Sequence, residues 1–475
     1  MTAIGAPPLI IQGGMGAAVS NWILARATAM RGQLGVVSGT GIDTVLVRRL
    51  QDGDAGGHMR RAMSAFPIPE VGETVLKEHF RPGGRAGAPY KPLPMHQIKL
   101  SRSRQLLAAL ANFVEVRLAK EGHKGCIGVN LLTKIPLPNL ASLYGAMLAG
   151  VDYVLMGAGI PREIPGALDQ LAEHAPASIK LDVEGTNGDG AHRAELDPRE
   201  LWDGTPPLTR PRFLPIVASN LLAALLTRKA SGRVDGLVIE GPTAGGHNAP
   251  PRGDPLFNER AEPVYGERDV VDLAKVRDLG LPFWVAGGAG SPTGLAEALA
   301  AGAAGIQVGT LFAFCDESGL KEEYKREVLA AACRGRVDVI TDARASPTGY
   351  PFKVVRWGEG PPKEDHRERV CDMGYLRRPY AMEGGRVGFR CASEPIDTYI
   401  KKGGQLEDTV GRKCLCNALM ANIGHAQVRE GGTEEPPILT AGDELKGIAK
   451  FLKGRERYSA SDVIEYLLGK TCTAQ

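Results

Sequence analysis

The chain has 475 residues, 43% hydrophobic and 23% charged, with 61 glycines and a net charge of +3. That length holds one large domain with attachments, or two or three ordinary ones, and the balance is that of a globular enzyme rich in turns. So small a charge, with Lys and Arg spread along the chain, argues against nucleic acid, and no apolar run reaches the ~18 residues that a membrane helix needs.

The first stretch, MTAIGAPPLIIQGGMG, lacks a charged n-region and a long apolar segment, so a cytoplasmic protein with a small-molecule substrate is expected. From there a unit recurs: a short apolar run, a Gly-rich turn, then an Ala/Leu-rich helical pattern. The runs are Leu9 to Ile11, Leu34 to Val37, Cys126 to Val129, Tyr153 to Met156, Ile179 to Leu181, Phe213 to Val217, Gly236 to Ile239, Phe283 to Ala286 and Gly305 to Val308. Continuous apolar strands suit a sheet covered on both faces. Helices are predicted between them over Asn21–Met30, Thr44–Leu50, Ser103–Lys120, Asn139–Leu148, Ile164–His174, Asn220–Lys229, Val270–Leu279 and Gly294–Ala301. Alternation of this kind predicts a (β/α)8 barrel, with one of the nine runs outside it; an open doubly wound sheet is the competing fold. Gly- and Pro-rich stretches near 53–100 and 184–212 read as loop insertions. The barrel is expected over residues 1–335, and 336–475, where the repeat stops, as a mainly helical C-terminal extension forming a cap or arm.

In parallel α/β folds the chemistry sits at the carboxyl ends of the strands. The informative segments follow the runs: IIQGGMG, VSGTG, GVNLL, MGAGIP, IEGPTAGGHNAP, VAGGAGSPTG and QVGTLF. The last two fit an anion cradle of backbone N–H groups, with Ser291 and Pro292 suited to the N-cap and first turn of the next helix. No GxGxxG opens a first βα unit and there is no GxxxxGK[ST], which leaves a mononucleotide such as FMN as the better fit.

Taken in order, QGGMG, GVN, GPTAGGHNAP, AGGAG and QVGT resemble the nitronate monooxygenase family, formerly 2-nitropropane dioxygenases, over roughly Leu9 to Phe314. The resemblance implies an FMN-dependent TIM barrel. ASPTGYPFKV and the long tail look more like a larger branch of that barrel family, the trans-acting enoyl reductases. Carried over by position, the family pattern implies Gly13, Gly14 and Met15 against the flavin, Asn130 on its ring, and close approach at Gly245 and Gly246. Gly287, Gly288, Gln307, Gly309 and Thr310 would line the ribityl phosphate, and His247 matches the active-site histidine. Glu240 stands where some relatives carry glutamine.

The implied reaction is oxidation of alkyl nitronates with O2 to carbonyl compounds and nitrite. The alternative is NAD(P)H-dependent enoyl-thioester reduction with an acyl carrier protein as partner. His247 serves either, because an imidazole with an ordinary pKa near 6.5 exchanges protons at neutral pH. Asn248 and Arg252 are weaker candidates for holding the substrate. The histidines His58, His79, His96, His123 and His192 read as surface positions. Cys371, Cys391, Cys414 and Cys416 match no zinc-knuckle spacing, so free buried thiols and no metal are expected. Homo-oligomerisation is left open by the sequence.

Overall fold

In the computed structural model, residues 6–186, 192–204, 206–358 and 367–470 are described. Parts of the second predicted insertion and of the segment after Trp357 therefore lie outside the described residues.

The barrel strands are β1 (Ile10–Gln12), β2 (Gly35–Ser38), β3 (Ile127–Leu132), β4 (Tyr153–Gly157), β5 (Arg212–Val217), β6 (Leu237–Glu240), β7 (Phe283–Ala286) and β8 (Gly305–Val308). All pair in parallel, in the spatial order β1-β8-β7-β6-β5-β4-β3-β2. The ring closes where Leu34 N donates to Ile10 O at 3.1 Å and Gln12 N to Leu34 O at 2.9 Å. This is a (β/α)8 barrel.

Its interior is a cluster of inward-facing side chains, among them Ile11, Leu34, Val36, Tyr153, Leu155, Leu214, Val238 and Trp284. The interior is thus a packed core that leaves chemistry to the rim. The second, larger core lies between the strands and the surrounding helices. Several of those helices start where the sequence supplies a cap: Asn21, Ser219 and Ser291 each accept the N–H three residues on.

Of the nine apolar runs, Ile179 to Leu181 is the one outside the barrel. Ala177–Lys180 pairs antiparallel with Arg193–Leu196. The reason is in its pattern: Ala177 and Ile179 are buried whereas Lys180 is exposed, an alternation proper to a strand with one solvated face. The predicted insertion near 53–100 contains the helices His58–Met63 and Pro69–His79, whose Met59, Met63, Val71 and Val75 are buried in the outer core. His79 and His96 are consequently buried, at 5% and 3% exposure, not surface residues as expected from their polar neighbours.

The extension carries the helices Ile396–Lys401, Leu415–Asn422, Ala449–Leu452 and Ala460–Leu467, together with two antiparallel hairpins. One pairs Val337–Asp342 with Phe352–Trp357 and the other Arg378–Ala381 with Val387–Arg390. Ala460–Leu467 packs back onto the helix Trp22–Met30, while Tyr375, Leu376, Leu415, Met420 and Thr440 to Gly442 lie over the carboxyl ends of the strands. Among the described residues no helix is long and apolar enough to cross a membrane.

Candidate functional site

The loops after β1, β2, β3, β4, β6, β7 and β8 converge on one cavity of about 230 Å³ at the carboxyl rim. Gly13, Gly14, Met15, Asn130, Gly245, Gly246, His247, Gly287, Gln307, Gly309 and Thr310 all line it. Gly288 lies just behind, with φ of +78° and Thr243 Oγ1 beside it. Asn248 is buried with its amide donating to Ala244 O at 3.0 Å. Arg252 is exposed, its guanidinium held by Arg268 O at 2.7 Å and Ala218 O at 2.8 Å. Neither Asn248 nor Arg252 lines the cavity.

Two close approaches explain the glycines. A Cβ on Gly14 would lie 2.2 Å from Asn130 Cβ, and one on Gly245 would lie 2.7 Å from the Ala441 carbonyl carbon. Glycine at the first position lets Asn130 reach the rim, and at the second lets the extension close down. Asn130 Oδ1 and Gln307 Oε1 are buried with no hydrogen-bond partner among the described residues. Buried acceptors are rarely left unpaired, and both of these residues line the cavity, so they are placed to meet a polar ligand.

His247 is positioned from the extension. Lys353 N donates to Gly246 O and Asn248 N to Pro351 O, each at 2.9 Å, while Gly246 N donates to Thr440 Oγ1 at 2.7 Å. Its Nε2 lies 2.7 Å from Ser346 Oγ, and Phe352 stacks edge-on with ring centroids 4.9 Å apart. The ring is half-buried, enclosed by protein on all but its cavity side. Burial, aided by the Lys134 ammonium, pushes its pKa down to about 4. The imidazole is therefore neutral at pH 7, which differs from the ordinary titration expected from the sequence.

Glu240 at the end of β6 also faces the cavity, and burial pushes its pKa up to about 8. A carboxyl that stays protonated at pH 7 offers one donor and one acceptor, as a glutamine amide does.

The roof was not legible in the sequence. Tyr375, Leu376, Leu415, Met420 and Thr440 to Gly442 come from the extension. Gly442 N donates to Thr310 Oγ1 at 2.9 Å, Asp443 N to Thr243 O at 3.0 Å, and Gly290 N to a Glu444 oxygen at 2.7 Å. Burial raises the pKa of Glu444, so a carboxyl shares the glycine loop after β7. Behind the roof, Tyr375 donates to buried Asp43, which Arg104 holds at 2.8 Å. Burial alone would raise the Asp43 pKa, but hydrogen bonding to His96 and the Arg104 charge hold it well below the usual carboxylate range.

Beyond Ile135, Tyr375 and Leu376, which line both spaces, lies a larger cleft of about 790 Å³. Lys134, Arg162, Lys180, Arg377 and Arg378 line it. Of its acids, Asp182, Glu163 and Glu184, the two glutamates are paired with Arg193 and Arg390.

Fold and site define the class: a (β/α)8 barrel whose ligand cavity is built from the strand-end loops under a C-terminal roof. Within that class, residues 213–346 match the family model described as nitronate monooxygenase. Over that stretch the chain is similar to the nitronate monooxygenase family. A nitronate monooxygenase of Pseudomonas aeruginosa is 31% identical over 201 residues, 40% of this chain and 49% of that protein. A Mycobacterium tuberculosis protein named (3aS,4S,5R,7aS)-5-hydroxy-7a-methyl-1-oxo-octahydro-1H-indene-4-carboxyl-CoA dehydrogenase is 30% identical over 142 residues, 30% of this chain and 35% of that one. The chain thus spans half or less of the length of these relatives. Among solved structures, FabK from Thermotoga maritima aligns with a TM-score of 0.49 at 18% identity, covering 98% of this chain and 92% of that one.

Proposed function

We propose that the chain is an FMN-dependent oxidoreductase that oxidises alkyl nitronates with O2 to carbonyl compounds and nitrite. The observation that carries this reading is the convergence of seven strand-end loops, with the unpartnered Asn130 Oδ1 and Gln307 Oε1, on one largely apolar cavity beside His247. These residues fit a flavin: Gly13 to Met15 give a flat approach, Asn130, Gln307 and Glu240 give polar partners for a heterocycle, and Gly287, Gly288, Gly309 and Thr310 give a backbone cradle for the phosphate.

When bound, FMN supplies the electron-accepting ring. The rest falls to the chain's own side chains. Neutral His247, fixed by Ser346 and Phe352, presents its free ring edge toward the substrate space. An N–H from that edge holds a nitronate oxygen, and such a bond to an anion is stronger than one between neutral groups. The roof residues Tyr375, Leu376 and Met420 exclude water from the reacting centre.

A second reading, NAD(P)H-dependent enoyl-thioester reduction, is favoured by the cationic cleft next to the cavity, which suits a phosphate-bearing carrier. In that reading His247 polarises the thioester carbonyl. Purified, flavin-loaded protein divides the two. Nitrite released from propionate-3-nitronate under air, without pyridine nucleotide, supports the first. Flavin bleaching by NADPH coupled to crotonyl-thioester reduction, with no nitrite, rejects it for the second.

A further inference from the structure

In the extension, four cysteines far apart in sequence come to one place. Cys371, Cys391, Cys414 and Cys416 line a single small cavity together with Gly374, Leu376, Arg377 and Ser393. The Cys371 and Cys391 thiols are hydrogen-bonded to each other, as are those of Cys414 and Cys416, and the pairs lie within electrostatic reach of one another. None is in a disulfide.

The surroundings are arranged for negative sulfur. Cys391 accepts the backbone N–H of Ser393 and Cys414 that of Asn417, whose side-chain amide also donates to Cys414 Sγ at 3.6 Å. Arg367 hydrogen-bonds Cys414, Arg369 faces Cys391, and Arg377 faces Cys371, Cys391 and Cys416. Of the nearby acids, Glu394 is held by Lys402 and Glu435 by Arg429 and by Arg367 itself, so Arg369 and Arg377 supply most of the positive field at the sulfurs. N–H donors and cations around thiolates are what a sulfur-ligated metal needs from its protein.

We propose that Cys371, Cys391, Cys414 and Cys416 together hold a thiophilic metal centre, zinc or iron–sulfide, in the roof of the cavity. The sulfurs stand as two pairs, and among the described residues no three His, Cys, Asp or Glu side chains stand close enough together to hold one ion as placed, so the pairs must turn inward to bind. Two close pairs facing one cavity suit a centre with two metal positions, two thiolates to each, or one tetrahedral ion once the pairs turn inward. Cys371 and Cys391 flank the second hairpin of the extension, and Cys414 and Cys416 open the helix Leu415–Asn422. The centre thus ties three segments that have little regular structure of their own, in a chain region where metal-binding energy becomes folding energy. Cys416, Leu376 and Leu415 line the main cavity as well, so the centre sets the shape of its roof.

The test uses the full chain, purified under nitrogen, with metal analysis and acid-labile sulfide determination. About one zinc per chain, or two or more irons with matching sulfide, is expected, and the sulfide separates the two. A double variant, Cys371→Ser with Cys414→Ser, should lower bound metal at least tenfold, whereas Cys333→Ser, at an exposed thiol, should leave it unchanged. If the double variant does not fold, cobalt(II) added to metal-free wild-type protein is the second measurement, and intense thiolate-to-cobalt bands are expected. Protein that is metal-free as purified and takes up neither cobalt nor iron and sulfide overturns the proposal, as does full metal content in a folded double variant.

Discussion

Replacing Glu240 by glutamine should make the protein more stable, and increasingly so as the pH rises. Burial pushes this carboxyl from its ordinary 4.5 up to about 8, so the folded protein binds its proton more tightly than the unfolded chain does. Wild-type stability therefore falls as pH climbs from about 4.5 to about 8, and above that range the loss is complete and grows no further. At about 1.4 kcal/mol per tenfold change in the protonation equilibrium, the loss at pH 7 has a ceiling of about 3 kcal/mol. The side chain borders a cavity, which reduces this to about 1–3 kcal/mol. Glu240→Gln keeps a donor and an acceptor and never ionises. Urea unfolding of wild type and variant at pH 4, 7 and 8.5, at matched flavin occupancy, should show equal stability at the lowest pH and a growing advantage for the variant. Parallel stability curves would refute the reasoning, because they would mean that the carboxyl ionises freely in the folded state.

His247→Ala should keep bound flavin but lower turnover by at least about a hundredfold; a variant with full activity removes the histidine from the chemistry. In wild type, with the imidazole pushed down to about 4, the neutral form persists throughout the neutral range, so the acid limb of the kcat/KM profile should fall near pH 4. A limb at 6.5 would contradict the burial argument. Ser346→Ala removes the partner 2.7 Å from His247 Nε2 and should lower kcat about tenfold while leaving flavin affinity unchanged, as measured by fluorescence titration. Gly14→Ala drives a Cβ into Asn130, at 2.2 Å without adjustment. It should cost about 1–3 kcal/mol in thermal or urea unfolding and weaken flavin retention.

The barrel was legible because its signals are local. Each strand is a short apolar run, each is followed by glycines, and parallel topology brings every such turn to one rim whatever the distance in sequence. The one run that lies outside the barrel, Ile179 to Leu181, held its own sign, since Ala-Ser-Ile-Lys alternates where the barrel strands do not. His79 and His96 were misjudged for a different reason: composition marked 53–100 as loop, yet Met59, Met63, Val71 and Val75 anchor it to the core. The roof was illegible because it depends on pairings across a hundred residues or more. Ser346 reaches His247, Thr440 reaches Gly246, and Gly442 reaches Thr310, and no local periodicity announces such contacts. The four cysteines show the same limit, since spacing alone concealed that they share one cavity.

The segment Thr440 to Glu444, laid across the glycine loops of the rim, also has a consequence in time. A ribosome releases β1 to β8 long before it releases these residues. The flavin of the proposed function would thus meet an open barrel mouth during synthesis and a roofed cavity in the finished protein. Loading during synthesis and loading of the mature apoprotein would then be different kinetic problems.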